Sequence, residues 1–225
     1  MNCQAVLFDM DGTLLNTLDD LAASVNRVLA RRGFPTHTLD QYRWFIGDGS
    51  AVLMTRALPP EQRSPERIQD CLQELLDDYG GHWHIATHPY DGIPALLQTL
   101  AASQLALSVV TNKPHPFACL MADHFFGKTS FRSVLGQQDG IPKKPEPDQA
   151  LRAARAMGVP ADACVFLGDS AVDMQTARRA GMVGVGAGWG FRPVQELWDA
   201  GAVHVIDHPL DLLALLKLPV GHPHD

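Results

Sequence analysis

Acidic side chains placed where an apolar run stops are the groups in this 225-residue chain best suited to chemistry. The run Ala5–Phe8 ends in Asp9-Met10-Asp11-Gly12-Thr13-Leu14. Two carboxylates at i and i+2 just past a strand, followed by glycine, can converge on one point because the backbone there is no longer extended. Like charges this close raise each other's pKa unless a cation intervenes. A hard, oxygen-seeking ion such as Mg²⁺ resolves that tension. The plainer alternative is a strand-end cap at Asp9 and a turn at Asp11-Gly12. A second acidic exit stands at Phe166-Leu167-Gly168-Asp169-Ser170-Ala171-Val172-Asp173. Asp169 would complete a metal site with Asp9, and Asp173, at i+4 on the following helix, would hold a metal-bound water or orient a lysine. Alternatively, Asp173 is an acid favoured by a helix amino terminus.

Four further groups could serve an anionic substrate. Thr111 and Asn112 close the apolar run Leu105–Val110 and offer a hydroxyl and an amide to phosphate oxygens, although Thr-Asn at a strand end is also ordinary turn chemistry. Lys143-Lys144-Pro145-Glu146-Pro147 holds a lysine on an extended backbone before a rigid Pro-x-Pro. Lys144, directly before the proline, is expected to aim inward and Lys143 to face solvent; a solvated basic loop is the alternative. Gly12 and Thr13 join Asn112 as candidate substrate contacts. Arg43 and Arg56 flank Gly47-Asp48-Gly49, a loop that could hang over the site and supply a cation, unless both are solvated helix-face residues.

Short apolar runs alternating with helical patterns must position these groups, as in an α/β fold with a mainly parallel, Rossmann-like sheet. Strands are expected at Ala5–Asp9, Leu105–Thr111, Cys164–Gly168, Met182–Ala187 and Val203–Ile206, with a weaker one at Ser133–Leu135. Most lack polar alternation, as strands buried on both faces do. Helical patterns lie at Ile93–Gln104, Pro147–Met157 and Thr176–Ala180. From Leu18 to about His84 only helical patterns occur: Leu18–Arg32, Leu39–Trp44, Ser50–Leu58 and Pro65–Tyr79. The expected organisation is a catalytic core of residues 1–16 and 85–225, with residues 17–84 inserted after the first strand as an all-helical cap hinged near Asn16 and Pro89. In open α/β sheets ligands bind at the carboxyl ends of the strands, where the acids stand.

The order D-x-D-G-T, strand-end T-N, K-P-x-P and G-D-S-x-x-x-D resembles the haloacid dehalogenase superfamily, and the helical insert resembles that superfamily's helical cap class. Asp11–Thr17, Leu21–Arg27, Ile46–Gly49, Arg56–Leu58 and Val110–Pro114 resemble its phosphoglycolate phosphatase-like members more closely. Asn16 departs from the pattern, since relatives often carry Asp there; it lies outside the metal set. The resemblance implies a Mg²⁺-dependent phosphatase in which Asp9 is the nucleophile and forms an aspartyl-phosphate, while Asp11 is the acid and then the base. It implies Mg²⁺ on the Asp9 carboxylate, the Asp11 carbonyl and Asp169, with Asp173 at or behind the metal. Thr111, Lys144 and backbone amides near Met10 would neutralise the phosphoryl oxygens. The expected substrate is 2-phosphoglycolate or a similar small phosphorylated metabolite. The acid at position 11 separates the chain from dehalogenases acting on carbon. A phosphosugar mutase or pyrophosphatase of the same superfamily is an alternative, although residues 17–32 carry no mutase signature. A receiver-type phosphoacceptor domain would place its acceptor mid-chain and lack the helical insert.

The rest of the sequence narrows the partners. A formal net charge of -7 gives no basic face for a nucleic acid. No apolar run approaches the roughly 20 residues that span a bilayer. The amino terminus from Met1 and Asn2 onward carries no signal-peptide pattern, and Cys3, Cys71, Cys119 and Cys164 are scattered, so a cytoplasmic protein with free thiols is expected. Gly127-Lys128-Thr129 lacks the earlier glycine of a phosphate-binding loop, Ala122 standing in its place. The glycines at 184, 186, 188 and 190 are misspaced for a dinucleotide and are expected in a loop near the site. His82, His84 and His88 read as surface residues rather than a transition-metal site.

Overall fold

The computed structural model describes residues 3–127 and 131–219. Met1 and Asn2, and Lys128 and Thr129 of the phosphate-loop-like stretch, lie outside the described residues. The core is a six-stranded sheet built from β1 (Ala5–Phe8), β4 (Ala106–Pro114), β5 (Ser133–Gln137), β6 (Cys164–Gly168), β7 (Val183–Ala187) and β8 (His204–Ile206). Spatial order is β5-β4-β1-β6-β7-β8, and every pairing is parallel. β1 is central: Ala5 pairs with Ala106 on one side and Cys164 on the other, and all four of its residues are fully buried. An unalternated Ala-Val-Leu-Phe suits that place, because helices cover both faces of a parallel sheet. Truncating Phe8 to alanine there would cost on the order of 3–5 kcal/mol.

Those helices are α5 (Ile93–Ala102), α6 (His115–Phe126), α7 (Asp148–Met157), α8 (Ala171–Ala180), α9 (Val194–Asp199) and α10 (Asp211–Leu215). β4 runs three residues beyond the expected end at Thr111, which keeps Lys113 in the strand and buries it. α6, α9 and α10 have no counterpart in the sequence reading, and α8 begins five residues before the expected Thr176. Its start is set by a capping box, with Ser170 and Asp173 bonding each other's backbone.

Between β2 (Leu15–Asn16) and β3 (His88–Pro89) the chain forms four α-helices: α1 (Leu18–Arg31), α2 (Leu39–Phe45), α3 (Ser50–Ala57) and α4 (Pro65–His82). α1 buries Leu18, Leu21, Ala22, Val25, Val28 and Leu29, an i, i+3, i+4, i+7 stripe, against α4, which buries Cys71, Leu75 and Tyr79. Ser64, accepting from the Arg67 N–H at 3.2 Å, and Pro65 fix where α4 starts. This is the helical cap. β2 and β3 pair antiparallel, so the chain leaves and re-enters the core through one short ribbon. Asp20 ties that ribbon to α1: its carboxylate accepts from the Ala86 and Thr87 N–H groups and from the Thr87 hydroxyl, at 2.7–3.0 Å. His82 ends α4, and its Nδ1 donates to the Asp78 carbonyl at 2.6 Å. Among the described residues no helix is long and apolar enough to cross a membrane.

Candidate active site

All six core strands point the same way, so their carboxyl ends form one edge, and the acids gather there. Asp9 follows β1 and Asp169 follows β6, its neighbour. Carboxylate oxygens of Asp9, Asp169 and Asp173 lie within 4.8 Å of one another, all three residues being buried. Asp9 Oδ1 accepts from the Met10 N–H at 2.7 Å and pairs with Lys144 Nζ at 2.9 Å. Lys144 Nζ also pairs with Asp173 Oδ1 at 2.7 Å, while Asp173 Oδ2 accepts from the Ser170 hydroxyl and N–H. Both oxygens of Asp173 are thus engaged, and the residue orients Lys144. The Met10 N–H, expected to face phosphate, is occupied by Asp9.

Electrostatics mark this corner as short of positive charge. Burial, then the Asp173 charge, push the Asp9 carboxyl up to about 7 against the pull of Lys144. Burial and the charges of Asp173 and Asp9 push Asp169 well above the usual carboxylate range. Its own partners are neutral, the Phe191 N–H at 2.8 Å and the Thr13 hydroxyl at 3.2 Å. Two glycines make room for it. At Gly12, where φ is +82°, an added Cβ would lie 2.2 Å from Asp169 Oδ2, and at Gly190 one would lie 2.1 Å from Asp169 Cβ. Burial disfavours the charge on Lys144, but Asp173 and Asp9 outweigh it and hold the ammonium above its ordinary pKa.

Asp11 stands apart from that cluster. Its carboxylate accepts from the Thr17 hydroxyl at 2.8 Å and from Lys113 Nζ at 3.0 and 3.3 Å. Asp9, Asp11, Thr111, Asn112 and Lys113 line one side of a cavity of about 30 Å³; Leu21, Ile46, Gly47, Gly49, Ser50 and Leu53 of the cap line the other. Asn112 is largely committed: Nδ2 donates to the Gly47 and Lys144 carbonyls and Oδ1 accepts from the Lys144 N–H. Gly12 and Thr13 serve Asp169 and do not line the cavity.

The cap arginines are placed differently from the expectation. Arg56 pairs with Asp48 at 2.6 Å and donates to the Trp44 and Phe45 carbonyls, so it braces the loop before α3 instead of lining the cavity. Arg43 is exposed and lies 3.7 Å from Asp40. Lys143, expected to face solvent, donates to the Asp48 carbonyl at 2.7 Å because the cap loop lies across it.

Comparison with known proteins decides the lineage. The sequence profile of haloacid dehalogenase-like hydrolases matches residues 6–187. The chain belongs to that family. A phosphoglycolate phosphatase of Xylella fastidiosa is 35% identical over 214 residues, covering 92% of each chain. An N-acetylmuramic acid 6-phosphate phosphatase of Pseudomonas aeruginosa is 34% identical over 218 residues, covering 96% of each. A solved structure from Lactobacillus delbrueckii subsp. bulgaricus, proposed to be a phosphoglycolate phosphatase, superposes with a TM-score of 0.89 at 32% identity, covering 96% of this chain and 99% of that one. This haloacid dehalogenase-like hydrolase is therefore a phosphatase.

Several residues of this haloacid dehalogenase-like hydrolase escaped the sequence reading. Lys113 has no expected role in the sequence, although it stands two residues from Thr111 on one strand and so shares its face, a period that could have pointed to it. Thr17 and Tyr79 meet Asp11 and Lys113 only through tertiary folding. Arg192, from the loop after β7, donates to the Trp44 and Ile46 carbonyls at 3.2 Å and lies over the Trp44 ring; nothing local announces that contact.

Proposed function

We propose that this phosphatase hydrolyses phosphate monoesters through a covalent phosphate on Asp9, with Asp11 moving the proton. The observation that carries the reading is that both carboxylates line one small cavity at the carboxyl edge of the sheet, beneath the cap. Asp9 attacks phosphorus while Asp11 gives its proton to the departing oxygen. Asp11 then takes a proton from the water that attacks the aspartyl-phosphate, which releases phosphate and restores Asp9. Lys144, 2.9 Å from Asp9, and Thr111 offer a charge and a hydroxyl to the equatorial oxygens, over which negative charge is spread.

The same corner suits Mg²⁺. Its donors are hard carboxylate oxygens, and Asp169 is a buried acid with neutral partners, which a divalent cation would satisfy. We assign the ion to Asp9, Asp169 and the Asp11 carbonyl, with Asp173 acting behind it through Lys144. When bound, Mg²⁺ would offset the phosphoryl charge beside these acids.

The substrate best supported is a small phosphorylated metabolite, 2-phosphoglycolate first. The cavity between core and cap is small, about 30 Å³, and is walled on the cap side by Leu21, Ile46 and Leu53, which supports a short substrate over a bulky one. The Pseudomonas aeruginosa relative favours a second reading, N-acetylmuramic acid 6-phosphate, which would require the cap to open further. Steady-state assays with Mg²⁺ over 2-phosphoglycolate, N-acetylmuramic acid 6-phosphate, pyrophosphate, sugar phosphates and nucleoside monophosphates test both. The highest kcat/KM is expected for 2-phosphoglycolate; a clear win for the sugar acid replaces the first reading with the second. Rapid quench should trap hydroxylamine-sensitive phosphate on Asp9, and a protein that never carries it attacks with water directly.

A further inference from the structure

Asp11 is held from both domains. Thr17, at the start of the cap, donates its hydroxyl, and Lys113, on β4 of the core, donates its ammonium. Lys113 Nζ donates again, at 3.1 Å, to the hydroxyl of Tyr79 and stands 4.7 Å from the centre of that ring. Tyr79 belongs to α4 of the cap and is itself wedged against α6 of the core, its ring 5.2 Å from that of Phe117 and its hydroxyl 4.0 Å from the Met121 sulfur. Both Lys113 and Tyr79 are buried. An ammonium has three protons, so after Asp11 and Tyr79 little freedom remains in where it sits. The lysine that aligns Asp11 is thus aligned by a residue that travels with the cap.

We propose that Lys113 and Tyr79 are positioning residues for Asp11: Lys113 fixes the direction of the Asp11 carboxylate, and Tyr79 fixes Lys113 only when α4 is seated against α6. Neither residue exchanges a proton with substrate. The inference rests on the reading of Asp11 as the acid and base. It adds that proton transfer is coupled to cap closure through this side-chain relay, so a substrate bound under an unseated cap meets a misaligned acid. The chemistry tolerates little misalignment, since a displacement of about 1 Å at a catalytic group can cost 100-fold.

A double-mutant cycle on kcat/KM, which reports formation of the aspartyl-phosphate and not its later hydrolysis, tests this, with p-nitrophenyl phosphate as the substrate whose leaving group needs least protonation and an alkyl phosphate as the one that needs most. Tyr79→Phe keeps the ring and the fold and should lower kcat/KM about 3–10-fold on the alkyl ester, with KM within about twofold; Lys113→Met should cost about 100-fold. Both defects should be smaller on p-nitrophenyl phosphate, and in an Asp11→Asn background on that substrate both should vanish. Lys113→Arg should recover part of the loss. Should Lys113→Met fail to fold, the Tyr79→Phe arm decides alone. Defects that multiply unchanged in the Asp11→Asn background, or that are equal for both leaving groups, overturn the proposal. So does a rise in KM at constant kcat for carboxylate-bearing substrates, which would make Lys113 a substrate reader. An Asp11→Asn enzyme with wild-type kcat/KM on the alkyl ester would instead overturn the role of Asp11 itself.

Discussion

The carboxyl edge of the core sheet and the seam between α1 and α4 of the cap both bury acids, and they treat them in opposite ways. In the seam, Asp78 accepts from Arg27 at 2.6–3.2 Å and from Arg31 at 3.0 Å. Burial alone would push that carboxyl up, but the two guanidinium groups, with Ser24, outweigh it and bring it down to about 2. At the sheet edge Asp9, Asp169 and Asp173 share essentially one ammonium, and Asp9 and Asp169 are pushed up. The seam has as much positive charge as its acids need; the site has less. A folded protein keeps such a deficit where a cationic ligand is expected to fill it, and the contrast separates charges that hold the cap together from charges held ready for chemistry.

The hardest blow to this contrast would come from Asp9→Asn. It should lower kcat by at least about 1,000-fold, as loss of a covalent nucleophile does, yet leave the melting temperature in metal-free buffer unchanged or raised, because it deletes a poorly compensated buried charge. A large fall in melting temperature would mean that Asp9 is a structural acid like Asp78. Next in size is the metal. EDTA should abolish turnover, and Mg²⁺ should raise the melting temperature of the wild type but not of Asp169→Asn; equal shifts for both proteins would remove Asp169 from the metal set.

Acid titration should then draw the two regions apart. Asp9 has a raised folded pKa, so its burden on stability is full above about 7 and is relieved as pH falls from 7 towards 4. Asp78 has a lowered one, so its contribution is full above about 4 and is lost between about 4 and 2. Metal-free protein should accordingly gain stability between pH 8 and 5, and lose it below 4, in denaturant melts at each pH. Asp78→Asn should cost about 2 kcal/mol at pH 7, from a shift of nearly two pKa units, with kcat within about threefold of wild type. The smallest effect belongs to Arg43→Ala, an exposed pair at 3.7 Å. It should change stability by less than about 0.5 kcal/mol and KM by less than twofold, and a selective rise in KM for 2-phosphoglycolate would return Arg43 to the substrate site.

Much of the arrangement could be read from residue order because it is local. β1 and β6 are uninterrupted apolar runs that lead straight into Asp9 and Asp169, and the mainly apolar first part of β4 leads into Thr111. The helical insert shows as a long stretch with one period. What could not be read is what the third dimension supplies. α6 places Ala118 and Met121 in the core while Phe117 meets Tyr79, so apolar residues on more than one face blur its period. β2 and β3 are two residues each, too short to alternate. Arg56 looked free because its partner Asp48 is eight residues away, outside helical reach, and Tyr79 lies 34 residues from the lysine it holds.

The position of the cap in the chain also shapes how the protein is assembled during synthesis. β1 emerges first, yet both strands that flank it, β4 and β6, come after the whole of α1–α4. The central strand must therefore wait unpaired, while the cap helices, whose bonds are nearly all short-range, can form as they leave the ribosome. Closing the sheet is the step with the longest loops and so the slowest part of folding. An apolar Ala-Val-Leu-Phe exposed during that wait is the segment at which newly made chains should be most prone to associate, and at which a chaperone should bind.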